Sequence, residues 1–79
     1  MSLENIANRI TQLNENYYPT VSYFNNVLNI FIELGEEINP TDFANIIDDI
    51  VLDYYHFNGR HIYYNSSQHT INIRYRNAQ

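Results

Sequence analysis

Asp53, His56, His61 and His69 are the side chains whose types and spacing come nearest to a metal site in this sequence. Asp53 and His56 stand three residues apart. At a helix end both can face one ion, and His61 or His69 can complete the set across a turn. Three of the four lie in "DYYHFNGRHIYY", residues 53–64, which packs an acid, two histidines, an arginine and four tyrosines into twelve positions. No HExxH or comparable spacing is present, and a turn separates the candidates. A solvated corner, with histidines beside the negative end of a helix, accounts for the same residues.

Other chemistries are weaker still. Glu36-Glu37 and Asp48-Asp49 are adjacent pairs, and sequence neighbours on a helix point in different directions, so neither is a natural acid–base dyad. The serines at 22, 66 and 67 lack a nucleophile-elbow glycine pattern. Gly35 and Gly59 are the only glycines, which leaves no phosphate-cradling loop. The absence of cysteine removes disulfides, thiol catalysis and cysteine-ligated metals. Asn65-Ser66-Ser67 fits a glycosylation sequon, with no secretory context to give it meaning. The expectation is a chain that is not an enzyme and needs no cofactor or metal. A metal-binding or catalytic role for Asp53, His56 and His61 is the weakest alternative.

The charge balance narrows the partners. The net charge is −5, with four arginines and no lysine. Phosphate affinity rests on several Lys/Arg contacts, so neither free nucleic acid nor an anionic membrane is an expected partner. No apolar run approaches the roughly 20 residues of a membrane span, and "MSLENIANRI" has no basic n-region of a secretory signal. These readings point to a soluble, cytoplasmic protein. Its 79 residues make one domain, residues 1–79, near the lower size limit for an unstapled apolar core.

The elements that must position these groups are written twice. "ENIANRITQLNENYYP" (4–19) lines up with "DFANIIDDIVLDYYH" (42–56), "SYFNN" (22–26) with "YYNSS" (63–67), and "LNIFI" (28–32) with "INIRY" (71–75). The pseudo-repeats run over 2–34 and 39–76, and the second is three residues longer at its corner. Leu3, Ile6, Ile10, Leu13 and Tyr17 recur at helical steps, with Ser2 as the expected N-cap and an end near Tyr17-Tyr18, before Pro19. In the second helix Asn39 is the expected cap, Pro40 the first residue, and Asp42 completes a capping-box variant, with Ile38 and Phe43 as a hydrophobic staple. Its expected buried stripe is Phe43, Ile46, Ile47, Ile50, Val51 and Tyr54, ending near Tyr55 or His56. Tyr54-Tyr55 should pack as Tyr17-Tyr18 do. Leu28, Ile30, Ile32 and Leu34 alternate with Asn29, Phe31 and Glu33, and Ile71, Ile73 and Tyr75 with Asn72, Arg74 and Arg76. Asn25-Asn26 and Asn65-Ser66-Ser67-Gln68 are the hairpin turns. One αββ unit buries its apolar face poorly, whereas two can share a sheet. The expected fold is α+β: a two-layer αββαββ sandwich from a duplicated αββ unit, with a four-stranded antiparallel sheet and two helices on one face.

Two surfaces remain for function. Asp42, Asp49 and Asp53 lie along one row of the second helix, with Asp48 and Leu52 beside them. A solvated polar face explains the row, and so does an acidic contact surface for a basic protein partner. The outer sheet face carries Phe24, Phe31, Tyr63, Arg74 and Arg76, residue types enriched at interface hot spots, which suits a homodimer or adaptor. An RNA-reading sheet is disfavoured by the charge and by the lack of an RNP-like segment. Small size, acidity and missing cofactor signals resemble, in kind and not by any motif, phage-type inhibitors such as anti-CRISPR proteins. That resemblance implies a non-enzymatic protein-binding module that occludes a basic, nucleic-acid-binding surface of its partner, with Asp42, Asp48, Asp49 and Asp53 as the contacts.

Overall fold

A computed structural model describes residues 1–79. The elements are α1 (Ser2–Leu13), β1 (Tyr18–Phe24), β2 (Val27–Glu33), α2 (Pro40–Leu52), β3 (Arg60–Asn65) and β4 (Thr70–Tyr75). The fold is α+β, two helices with one four-stranded antiparallel sheet in the order β1-β2-β4-β3. No helix is long and apolar enough to cross a membrane.

Helix α2 starts as its sequence requires. The Asn39 side chain accepts a hydrogen bond from the Asp42 amide at 3.0 Å, and Pro40 opens the first turn. Its end is earlier than the expected Tyr55 or His56. The Tyr54 and Tyr55 amides both donate to the Val51 carbonyl, at 2.9 and 2.8 Å, so the helix tightens and closes after Leu52. The buried stripe is Phe43, Ala44, Ile47, Ile50 and Val51. Ile46 is not in it: at about 100° per residue it falls a quarter turn or so from the centre of that stripe, and it is 48% exposed.

Helix α1 departs from expectation at both ends. Met1 occupies the cap position without a side-chain bond, and Ser2 is already helical. The helix stops at Leu13, well before Pro19. Asn14 is extended (φ −161, ψ 123), and its side chain accepts from the Asn16 amide at 2.9 Å. That local bond competes with helix continuation. Tyr17 therefore leaves the helix but stays buried, edge-on to Phe43 at 5.6 Å, with its hydroxyl donating to Glu36 Oε2 at 2.9 Å. Tyr18 and Pro19 enter β1, an edge strand, where a proline costs no ladder bond. Leu13 is exposed.

The strands alternate as written. Leu28, Ile30 and Ile32 on β2 and Ile71, Ile73 and Tyr75 on β4 are fully buried. They form one cluster with Ile6, Ile10, Phe43 and Ile47 from the helices. The β2–β4 register pairs Leu28 with Tyr75, Ile30 with Ile73 and Ile32 with Ile71. Each buried isoleucine contributes on the order of 1.5–3 kcal/mol. The β1–β2 turn is two residues, Asn25 and Asn26, both at positive φ (51 and 62), the hand that matches strand twist. In the longer β3–β4 turn, Asn65 Oδ1 accepts from the Ser67 amide, the Ser67 hydroxyl and the Gln68 amide.

Candidate functional site

The corner at 53–59 is a joint closed by the C-terminal segment. His56 and Gln79 exchange backbone hydrogen bonds (2.7 and 2.8 Å), the Asn58 amide donates to the Arg76 carbonyl, and the Arg76 amide donates to the Gly59 carbonyl, both at 2.9 Å. Ala78 is buried, its amide donates to the Asn26 carbonyl at 2.7 Å, and its carbonyl accepts from the Tyr23 hydroxyl at 2.6 Å. The three extra residues of the second pseudo-repeat thus hold the end of the chain. Tyr54 and Tyr55 do not repeat the roles of Tyr17 and Tyr18. Tyr55 stacks on Tyr23 (5.2 Å, 28°), and Tyr54 lies under the Arg9 guanidinium.

Asp53, His56 and His61 do not converge. No three His, Asp or Glu side chains stand where one ion could be shared. Asp53 instead forms an ion pair with Arg9 on α1. This hydrogen bond raises the Arg9 pKa, and both groups are exposed. His61 is on β3, opposite Arg74 of β4. His69 sits at the end of the β3–β4 turn with φ 55, its carbonyl accepting from the Leu34 amide at 2.8 Å.

The acids of α2 divide into two kinds. Asp48 faces inward. Its Oδ2 pairs with Arg60 Nη1 and its Oδ1 accepts from the Tyr75 hydroxyl at 2.8 Å, while Arg60 Nη2 also reaches Asn45. Burial pushes the Tyr75 hydroxyl well above its ordinary range, against a smaller opposite pull from Arg60. Asp42 and Asp49 remain exposed and without a cation, in a stripe that also presents Ile46 and Leu52.

The outer sheet face gathers what the helices do not. Its central rows set Phe31 opposite Asn72 and Asn72 opposite Tyr63, then Asn29 opposite Arg74 and Arg74 opposite His61. Asn72 Nδ2 donates to Asn29 Oδ1 and to the Ile30 carbonyl, bracing β4 to β2. Phe31, Tyr63 and Phe24 are exposed, the last at 77%. Arg74 and Arg76 are exposed and have no carboxylate partner, whereas the other two arginines do. Two shallow depressions flank Arg74. One, of about 300 Å³, is lined by Ser22, Phe24, Asn25, Val27, Asn29 and Arg74. The other, of about 280 Å³, is lined by Val27, His61, Tyr63, Arg74 and Arg76. A third depression, at the start of α1 beside Tyr23 and Tyr55, holds one acid and no histidine. Every buried side-chain nitrogen and oxygen has a hydrogen-bond partner, so no orphaned polar group marks an interior site.

Sequence reasoning placed Phe31, Tyr63, Arg74 and Arg76 on this face but missed His61 and Val27 as their neighbours. Strand order creates that adjacency, and alternation within a strand carries no signal of it. The chain matches no family model, no curated protein and no solved structure.

Proposed function

We propose that the chain is a non-enzymatic protein-binding module whose working surface is the outer sheet face around Phe31, Tyr63, Arg74 and Arg76. One observation carries this reading. In a protein with nine acids and four cations, the two cations without a carboxylate both lie on that face, among its exposed aromatics. Folding does not require this arrangement, and a desolvated contact of aromatics and arginine is the usual energetic centre of an interface. Affinity capture from a lysate of the native source, with mass spectrometry, tests it. A specific protein retained by the wild type and lost with Phe31→Asp supports the sheet face. Retention by Phe31→Asp with loss in Asp42→Lys/Asp49→Lys refutes it.

The second outcome belongs to a second reading, inhibition of a basic, nucleic-acid-binding partner in the manner of anti-CRISPR proteins. The exposed stripe of Asp42, Ile46, Asp49 and Leu52 favours it, because acids interleaved with apolar side chains suit a cationic groove. Asp48 and Asp53 already hold Arg60 and Arg9, so the stripe rests on two free carboxylates instead of four.

We infer further that the chain descends from a duplicated αββ unit, with both helices on one face of the sheet. Matching 28–32 to 71–75 makes the Leu28–Tyr75 and Ile32–Ile71 pairs equivalent under a pseudo-two-fold through Ile30 and Ile73, which supports the duplication. The β1-β2-β4-β3 order has the same symmetry.

A further inference from the structure

We propose that the two depressions flanking Arg74 form one groove that binds a carboxylate-bearing segment of the protein partner, with Arg74 and Arg76 gripping the acids. This deepens the sheet-face reading and rests on it. The depressions share Val27 and Arg74, so they adjoin on either side of Arg74 at the end of the face nearest the β1–β2 turn. Arg74 is on β4 and Arg76 lies in the turn just after it, and both line the second depression. Each guanidinium offers a planar fork of donors that matches a carboxylate. Neither donates a hydrogen bond to any group of the protein.

The backbone of Arg76 is also held in place. Its amide and carbonyl are tied to Gly59 and Asn58. Its guanidinium lies across Gly59, where a Cβ would stand 2.6 Å from Nη2. Gly59 has φ +106, a conformation that side chains rarely adopt, so the seat depends on glycine.

The surroundings select the class of ligand. Val27, Phe24 and the parallel His61 and Tyr63 rings (6.3 Å, 21°) provide apolar and aromatic walls that a free inorganic anion leaves unused. A long polyanion following the strands toward the other end of the face meets Glu33, four residues or roughly 13 Å from Asn29, the partner of Arg74. A short segment carrying one or two carboxylates beside an apolar side chain fits both features; a nucleic-acid strand fits only the first.

The test uses the full-length ¹⁵N-labelled protein and amide shift mapping. The probes are an alternating glutamate–phenylalanine pentapeptide, its lysine–phenylalanine counterpart, inorganic phosphate and a short oligothymidylate. The acidic peptide is expected to shift amides around Val27, His61, Tyr63, Arg74 and Arg76, with the lysine peptide silent. Arg74→Ala/Arg76→Ala should weaken the acidic peptide by about tenfold or more. Gly59→Ala, which displaces the Arg76 guanidinium, should weaken it less. Equal or stronger shifts from the oligonucleotide or phosphate overturn the proposal, as does peptide binding indifferent to the arginines. Partner capture separates the two levels. Capture lost with Phe31→Asp but kept by the double arginine variant removes the carboxylate groove and leaves the sheet-face reading intact. Capture kept by both removes the two together.

Discussion

The Tyr75 hydroxyl donates to Asp48 Oδ1 at 2.8 Å, and the other oxygen of the same carboxylate holds Arg60. One acid of α2 thus satisfies a buried tyrosine of β4 and the first residue of β3, fixing the helix to two strands. Asp48→Ala should destabilise the protein by about 2–3 kcal/mol in urea unfolding, because it strands a buried hydroxyl and a half-buried cation. Asp48→Asn, which keeps an acceptor for Tyr75, should cost less. A loss below about 0.5 kcal/mol for the alanine variant would place Asp48 with ordinary surface acids.

The same tyrosine predicts alkaline sensitivity. Burial raises the pKa of Tyr75, and burial raises those of Tyr17 and Tyr55 as well, aided by Glu36 and Tyr23 respectively. An unfolded tyrosine ionises near pH ~10. Above that value the unfolded chain binds fewer protons than the folded one, so stability present at neutral pH is lost as pH rises. Melting temperature should hold from pH 8 to about 9.5 and fall steeply beyond it. Tyr75→Phe should start lower and fall less steeply. Parallel curves for the two proteins would be inconsistent with a Tyr75 contribution.

Gly59→Ala should cost about 1–2 kcal/mol from backbone strain at φ +106. The clash with Arg76 involves the free end of a flexible side chain, which can swing aside. A double-mutant cycle with Arg76→Ala should therefore show coupling under about 0.5 kcal/mol. Larger coupling would mean that the guanidinium is locked more tightly than this geometry implies.

Removing residues 77–79 breaks four hydrogen bonds, two with His56, one with Asn26 and one with Tyr23. At about 0.5–1.5 kcal/mol each, the loss should be roughly 2–6 kcal/mol. Hydrogen exchange should become faster at His56 and Asn58 before it does in β2 and β4. Unchanged protection at the corner would show that it stands without the tail.

How much was legible follows the range of each interaction. The Asn39–Pro40–Asp42 start of α2 and the Asn25-Asn26 turn rest on contacts within a few residues, and the inward set Leu28, Ile30, Ile32, Ile71, Ile73 and Tyr75 is legible from its local two-residue alternation, although its burial comes from distant partners. Pro19 points to a later end of α1 than the one observed, because Asn14, five residues earlier, makes a side-chain bond that stops the helix first. Ile46 is exposed where periodicity predicts burial, because its sequence neighbours alone do not fix the centre of the helix stripe.

Sequence by itself determined two helices, four alternating strands, an acidic surplus and the residue types on each strand face, since these depend on periodicity and local capping. Tertiary structure alone decided which charges remain available. Asp48 and Arg60 meet across 12 positions and Arg9 and Asp53 across 44, consuming half the cations, while the β1-β2-β4-β3 order sets His61 beside Arg74. Charge pairing depends on distance in space, and a linear chain specifies that distance only after the helices and strands have packed.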